Sequence, residues 1–364
     1  MVGSAGSAGR VPLNVADYER LAAERLEPGL LGYFAGGAGD ERTLRDNVAA
    51  FARWRLRPRV LVDVGAISAA TTVLGARVSM PLLVAPVALQ RMAHVDGEPG
   101  TAHAAAAAGT IFCLSTIATS RAREVAEHAP AAPRWFQLYA FRDRGVTRAL
   151  CEEALADGFD AVMLTVDAPI GGRRERDLRT GFAVPADVEL PALRAAVGGA
   201  STPTPADFFA HVDPTLTWRA LEHLARELPV PIVLKGVQTA EDARLACEHG
   251  VAAIVVSNHG GRQLDGVAAS LDVLPEVVEA VAGRVEVLVD GGVRRGIDVL
   301  VALALGARAV LCGRLWGLAV GGEAGARHVL ELLRAEIELG LALLGAPTPG
   351  DVTRAHVAPA AGRP

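Results

Sequence analysis

From residue 82 onward, short runs rich in β-branched and other apolar residues alternate with stretches in which Ala, Leu, Glu and Arg recur at helical spacing. The apolar runs are Leu82–Leu89, Thr110–Ser115, Trp135–Tyr139, Ala161–Asp167, Pro231–Val237, Ala252–Asn258, Val285–Gly291 and Ala309–Arg314. Between them lie helix candidates such as Gly145–Ala156, Thr239–His249 and Gly296–Leu305; Thr239 followed by Asp242 resembles a capping box. Eight strands each followed by a helix predict an α/β fold, a closed (β/α)8 TIM barrel. No Gly-x-Gly-x-x-Gly opens any of the helices, which argues against an open doubly wound sheet.

Residues 10 to 80 precede the barrel and read as a mainly helical segment that caps one of its ends. About 60 residues separate Asp167 from Pro231, far more than the few that usually join a strand to its helix. The Pro/Gly/Ala-rich part of this fourth connection is expected to form a partly mobile lid, roughly residues 175–217. A single domain over 13–357 is expected, with flexible tails at 1–12 and 358–364.

Composition narrows the function classes. Of 364 residues, 51% are hydrophobic and 21% charged, enough apolar surface for a large core. The formal charge is 36 − 41 = −5 and no Lys/Arg block occurs, so nucleic acid is not an expected partner. The most apolar stretch, Val299–Ala307, is too short to cross a bilayer, and Met1–Gly9 lacks the apolar centre of a secretory signal; no membrane partner is expected. Cys113, Cys151, Cys247 and Cys312 are scattered, which suits neither a disulfide framework nor a metal site. They are expected as small hydrophobes in strands and helices of a cytoplasmic protein.

In such a barrel the loops at the C-terminal strand ends converge on one face. Polar residues collect there: Ser115, Gln137 and Tyr139, Thr165 and Asp167, Lys235, Ser257 to Arg262, Asp290 to Arg294, and Gly313-Arg314. Buried Lys, Asp and Arg are costly unless paired or used. Asp290-Gly291-Gly292-Val293-Arg294 with Gly313-Arg314 suits a phosphate, because glycines admit backbone N–H groups and arginine supplies charge. His259 and Arg262 on one glycine-flanked loop place a base beside a carboxylate clamp, and Asp167 would stabilise the imidazolium. Lys235 needs a negative partner, either a reduced flavin or a neighbouring strand-end carboxylate.

The segments Tyr33 to Gly39, Phe136 to Tyr139, Leu164 to Asp167, Leu234 to Gly236, Val256 to Asp265 and Val289 to Gly296 resemble, in order and spacing, those of the FMN-dependent (S)-2-hydroxy acid oxidases and dehydrogenases. The resemblance runs from about residue 13 to 357, and the run Ser-Asn-His-Gly-Gly-Arg-Gln-Leu-Asp from Ser257 is its most specific part. It implies FMN as cofactor and His259 as the base, with Asp167, Tyr139 and Lys235 completing the catalytic set. It implies that Tyr33 and Arg262 hold the substrate carboxylate, that Arg174 stands at the mouth of the site near the substrate, and that Tyr139 bonds the substrate hydroxyl. Pro86, Val87, Ala88, Ser115, Gln137, Thr165, Lys235 and Ser257 would surround the flavin. Asp290, Gly291, Gly292, Val293, Arg294, Gly313 and Arg314 would hold its ribityl phosphate.

Departures bear on specificity. Ile117 stands where glycolate oxidases carry Trp, which leaves room for a larger substrate; Val87 replaces a common Thr, and Leu315 the usual Pro. The implied reaction is oxidation of a 2-hydroxy acid to the 2-keto acid, with dioxygen as acceptor and hydrogen peroxide as product. The substrate would be lactate, a longer chain or a mandelate-type acid, in a tetramer or octamer. Alternatives are a dehydrogenase with a quinone or protein acceptor, a lactate monooxygenase and, in a different class, an FMN-dependent isopentenyl diphosphate isomerase.

Overall fold

The computed structural model describes residues 11–185, 187–197, 205–314 and 316–360. The expected tail through residue 10, part of the lid and Leu315 lie outside the described residues. Eight parallel strands close on themselves: β1 (Leu82–Val84), β2 (Phe112–Ser115), β3 (Arg134–Leu138), β4 (Ala161–Thr165), β5 (Ile232–Val237), β6 (Ala253–Val256), β7 (Glu286–Asp290) and β8 (Ala309–Cys312), with β8 pairing to β1. Each is followed by a helix, α1 (Gly97–Ala107), α2 (Ala122–His128), α3 (Arg144–Ala156), α4 (Trp218–Glu227), α5 (Ala240–Glu248), α6 (Ser270–Val281), α7 (Gly296–Ala304) and α8 (Gly317–Leu344). The expected TIM barrel is therefore the observed fold. Thr239 caps α5 by accepting from the Asp242 N–H at 3.2 Å.

Strand periodicity explains where the chemistry sits. Alternate residues point inward, and the lower part of this inner face is apolar: Leu83, Cys113, Trp135, Met163, Val233, Val255, Leu288 and Leu311 form one buried cluster. The next inward positions up five of those strands are Ser115, Gln137, Thr165, Lys235 and Asp290, all buried. The outward set packs against the helices. The inner face thus changes from apolar to polar near the C-terminal ends of the strands. Several strands stop earlier than their apolar runs suggest. Leu82–Leu89 pairs only through Val84, because Pro86 has no N–H to give and Leu89 turns at φ +61°.

The segment before the barrel differs from expectation. It is helical over Val15–Arg25, Pro28–Ala35 and Arg42–Ala49, but then forms a strand at Trp54–Leu56 and a hairpin, Thr71–Val73 with Ala76–Val78. It also covers both ends. Val73 and Val78 close the apolar bottom of the barrel, whereas Tyr33 and Asn47 stand at its polar top. The hairpin signal is a two-residue turn, Leu74-Gly75, with positive φ at both positions, and a Glu286 carboxylate oxygen accepts from Leu74 N–H at 3.0 Å. At the other terminus, Val357–Pro359 pairs antiparallel with Trp54–Leu56, so the strand runs past the boundary expected at 357. The long fourth connection contains helices at Glu175–Thr180, Pro191–Val197 and Pro205–His211. Cys113 and Cys312 lie in strands and Cys151 and Cys247 in helices, all four as free thiols.

Candidate active site

Nearly all the singled-out residues line one cavity at the polar end of the barrel. Tyr33, Pro86, Val87, Ala88, Ser115, Gln137, Tyr139, Thr165, Arg174, Lys235, His259, Arg262, Asp290, Gly291, Gly292, Val293, Arg294, Gly313 and Arg314 all reach it. Asp167 and Ser257 stand one layer behind. Asp167 Oδ1 is 2.9 Å from His259 Nδ1, while Ser257 Oγ accepts from Lys235 Nζ and from the His259 N–H, each at 3.0 Å.

His259 has the arrangement of a base. Its backbone is left-handed, φ +60°, a costly conformation for a non-glycine residue, and the two glycines that follow are left-handed as well. This turn aims the imidazole at the cavity. With Nδ1 bonded to Asp167, the remaining nitrogen, Nε2, faces Tyr139 OH at 3.3 Å. Burial lowers the His259 pKa below its ordinary value; Asp167 opposes this, and the positive charges of Lys235 and Arg174 reinforce it. Burial works against the Asp167 carboxylate, but His259 and Lys235 outweigh it and the group stays below its usual range. Burial pushes the Tyr139 phenol upward, so it remains a neutral donor.

One wall carries a relay of amide and hydroxyl groups. Gln137 Nε2 donates to Thr165 Oγ1 at 3.0 Å, and Gln137 Oε1 accepts from Ser115 Oγ at 3.3 Å and from Thr116 N–H at 3.2 Å. Lys235 Nζ lies 3.3 Å from Asp290 Oδ2. Burial disfavours its ammonium, yet Asp290 and Asp167 prevail and raise its pKa. Of the two partners open to this lysine, the neighbouring strand-end carboxylate is therefore already in place.

Positive charge is in excess at the far end and beside Tyr33. Among the described residues Arg314 donates only to backbone carbonyls, Phe34 O at 3.2 Å, Ala35 O at 3.1 Å and Gly36 O at 3.2 Å. Burial, then Arg294 and Arg262, push its pKa down to about 9. Arg262 donates from Nη1 to Tyr33 O at 2.6 Å and to Gly36 O at 2.9 Å, and burial followed by Arg174 brings it down to about 10. Both arginines thus hold the carbonyl end of the helix Pro28–Ala35. Arg174 and Arg262 stand 5.8 and 5.1 Å from the Tyr33 ring, which stacks on Phe182 of the lid at 4.7 Å.

The donor set fits FMN. Arg314, a half-buried guanidinium without a carboxylate partner among the described residues, suits a phosphate, with Arg294, whose Nε lies 3.8 Å from Glu19 Oε2, lining the same cavity. Asp290 Oδ1, buried in the cavity wall without a donor among the described residues, suits a polyol hydroxyl, and the Ser115-Gln137-Thr165 relay suits the edge of a flavin ring.

The structure also gives unexpected work to the patterned run from Val256 to Asp265. Only His259, Gly260 and Arg262 of this run face the cavity. Asn258 exchanges two 2.8 Å bonds with Asn47, and Asp265 accepts from Thr43 N–H at 2.8 Å. These contacts hold the helix Arg42–Ala49. Gln263 fastens the fourth connection by donating to Asp167 O at 3.2 Å and Ile170 O at 2.9 Å. Gly292 has φ +83°, and a Cβ there would lie 2.0 Å from Asn47 O; this glycine is therefore required by packing of the N-terminal segment in addition to any anion. Asn47 carried no sequence signal, because its partners are more than 200 residues away. Phe209, from the lid, lines the cavity and meets Tyr139 edge-on at 5.8 Å.

Comparison with known proteins agrees with this geometry. A family described as FMN-dependent dehydrogenase matches residues 22–359. An L-lactate oxidase from a Nostoc species is 51% identical over 347 residues, covering 92% of this chain and 94% of its own length. Glycolate oxidase 5 of Oryza sativa subsp. japonica is 49% identical over 351 residues, covering 94% and 95%. A solved structure of mandelate oxidase with (S)-4-hydroxymandelic acid superposes with a TM-score of 0.90 at 41% identity, covering 94% of this chain and 97% of that one. The chain belongs to the family of FMN-dependent 2-hydroxy acid oxidases and dehydrogenases.

Proposed function

We propose that the protein oxidises an (S)-2-hydroxy acid larger than glycolate to the 2-keto acid, with dioxygen as the acceptor. The observation that carries this reading is the His259 pair: Nδ1 tied to Asp167 and Nε2 turned to the cavity beside Tyr139, with Arg262 on the same loop. When bound, FMN would supply the two-electron acceptor, with dioxygen as the final oxidant and hydrogen peroxide as the product. Arg262 and Arg174 bind the substrate carboxylate, with Tyr33 beside them. Tyr139 donates to the substrate hydroxyl. His259 Nε2 takes up the proton, from the hydroxyl or from the α-carbon, and Asp167 stabilises the imidazolium that results. Arg294 and Arg314 would hold the phosphate, and Lys235 would offset negative charge on the reduced flavin.

The space beside the ring supports the size preference. Ile117 and Phe209 line the cavity with Tyr139 and give an apolar surroundings to a side chain or ring. A steady-state panel of glycolate, lactate, 2-hydroxyoctanoate and mandelate under dioxygen tests the reading through peroxide yield. Lactate or a larger acid is expected to give the greatest kcat/KM. Greatest kcat/KM for glycolate overturns the size argument, and absence of peroxide overturns dioxygen as acceptor.

A pH profile follows from the base. His259 works unprotonated, and burial sets its pKa below about 6.5. Activity is therefore present above that pKa and lost as pH falls through it, so the acid limb of kcat/KM is expected below about 6.5. Asp167 favours the charged imidazole. In Asp167→Asn the limb is expected to move further down while the plateau falls. A limb unmoved by that substitution would assign it to another group.

A further inference from the structure

A carboxylate stands buried behind one wall of the cavity without lining it. Glu98, in the first turn of α1, is 0% exposed, and its partners among the described residues are four hydrogen-bond donors. Oε1 accepts from Gln90 N–H at 3.1 Å and from Thr119 N–H at 2.9 Å. Oε2 accepts from Thr119 Oγ1 at 2.6 Å and from Ser120 Oγ at 2.9 Å. Arg91, the basic residue next to Gln90, turns instead to Glu124 and to Thr119 O. A carboxylate removed from water is costly unless its oxygens are filled, so what this one joins accounts for its presence.

It joins the loops that follow β1 and β2. Gln90 N–H and Thr119 N–H cannot bond each other, since both are donors, and one shared oxygen satisfies the two. Next to this clamp the loops meet directly, Leu89 N–H donating to Ile117 O at 3.1 Å. Leu89 holds a left-handed backbone, φ +61°, which needs support from outside the turn. Thr101, one turn after Glu98 on α1, adds to that support: its Oγ1 donates to Gln90 Oε1 at 2.6 Å, and Gln90 Nε2 donates to Val87 O at 3.3 Å. The residues just before these contacts, Val87 and Ala88 on one loop and Ser115 and Ile117 on the other, line the cavity.

We propose that Glu98 is a positioning residue for substrate selection, which sets the separation of Ala88 from Ile117 and hence the space offered to the side chain of the 2-hydroxy acid. The inference rests on the reading above that this side chain lies beside Ile117. Glu98 acts through the two loops, as a network whose members are all satisfied holds a wall more firmly than apolar packing does.

A variant panel of the FMN-loaded protein tests this through two ratios. Glu98→Ala leaves the Gln90 and Thr119 N–H groups without their acceptor. It is expected to lower kcat/KM for 2-hydroxyoctanoate relative to glycolate at least fivefold. The dissociation constant of octanoate relative to acetate, read from the flavin absorbance, is expected to rise by a similar factor. Glu98→Gln keeps one oxygen for both N–H groups, and its amide can donate to the Thr119 and Ser120 hydroxyls once they turn round, so both ratios are expected within twofold of the wild type. A carboxylate that only stabilises the fold would lower the melting temperature and weaken every acid alike. Unchanged ratios in Glu98→Ala, or ratios that glutamine does not restore, therefore overturn the proposal. Where Glu98→Ala does not fold, Thr119→Val/Ser120→Ala removes only the Oε2 donors and is expected to move both ratios the same way at least twofold; unmoved ratios overturn the proposal there too. Each ratio is referred to the wild type's own value. A wild type that favours glycolate thus overturns the size preference, while ratios that move with alanine and return with glutamine still support the clamp.

Discussion

His259→Ala is expected to leave FMN bound and yellow while anaerobic bleaching by any 2-hydroxy acid slows by about a thousandfold or more, within the range for losing a positioned general base. The reason is geometric. Among the described residues the imidazole is the cavity group with one nitrogen held by a carboxylate and the other turned toward the cavity and Tyr139 OH. Tyr139, whose phenol burial keeps protonated, and Lys235, whose ammonium is held by Asp290, are poorly placed to substitute. Stopped-flow absorbance under nitrogen separates this step from reoxidation. Bleaching at the wild-type rate would remove His259 from the mechanism.

Arg262→Met is expected to cost more than a carboxylate contact. The guanidinium faces the cavity and also donates to Tyr33 O and Gly36 O, so its loss leaves Tyr33 O unpaired, leaves Gly36 O to Arg314 alone and loosens the helix that carries Tyr33. Removing a charged hydrogen-bonding partner of this kind costs about 2–5 kcal/mol, so kcat/KM should fall by about thirtyfold to several thousandfold. The melting temperature should fall with it. Arg262→Lys keeps the charge but not the planar fork, and is expected to recover KM in part while leaving the melting temperature low. Equal KM in the wild type and Arg262→Met would place the carboxylate elsewhere.

How much of this was readable in the chain depends on the range of the interaction. The barrel was legible because strand and helix periods are local, and the polar set Ser115, Gln137, Thr165, Lys235 and Asp290 was legible because it occupies the inward positions at strand ends. Strand ends were less so, since Pro86 and the left-handed Leu89 stop pairing before the apolar run ends. The hairpin at Leu74-Gly75 was hidden because its turn lacks the usual Asn or Asp, and its stabiliser, Glu286, is remote in sequence. Within the site, residues that touch the cavity announced themselves by chemistry. Asn47 and Gln263, which only hold other segments in place, did not, because their roles exist only once distant loops have met.

The helix Pro28–Ala35 ends in carbonyls gripped by Arg262 on the side of Tyr33 and by Arg314 at the phosphate end. An anion arriving at either arginine changes the hold on that shared terminus, so the two occupancies are thermodynamically linked, and by reciprocity each alters the other's affinity by the same factor. A saturating unreactive hydroxy acid analogue should therefore change how firmly the coenzyme is held, and stripping the coenzyme should change the analogue's affinity by the same factor.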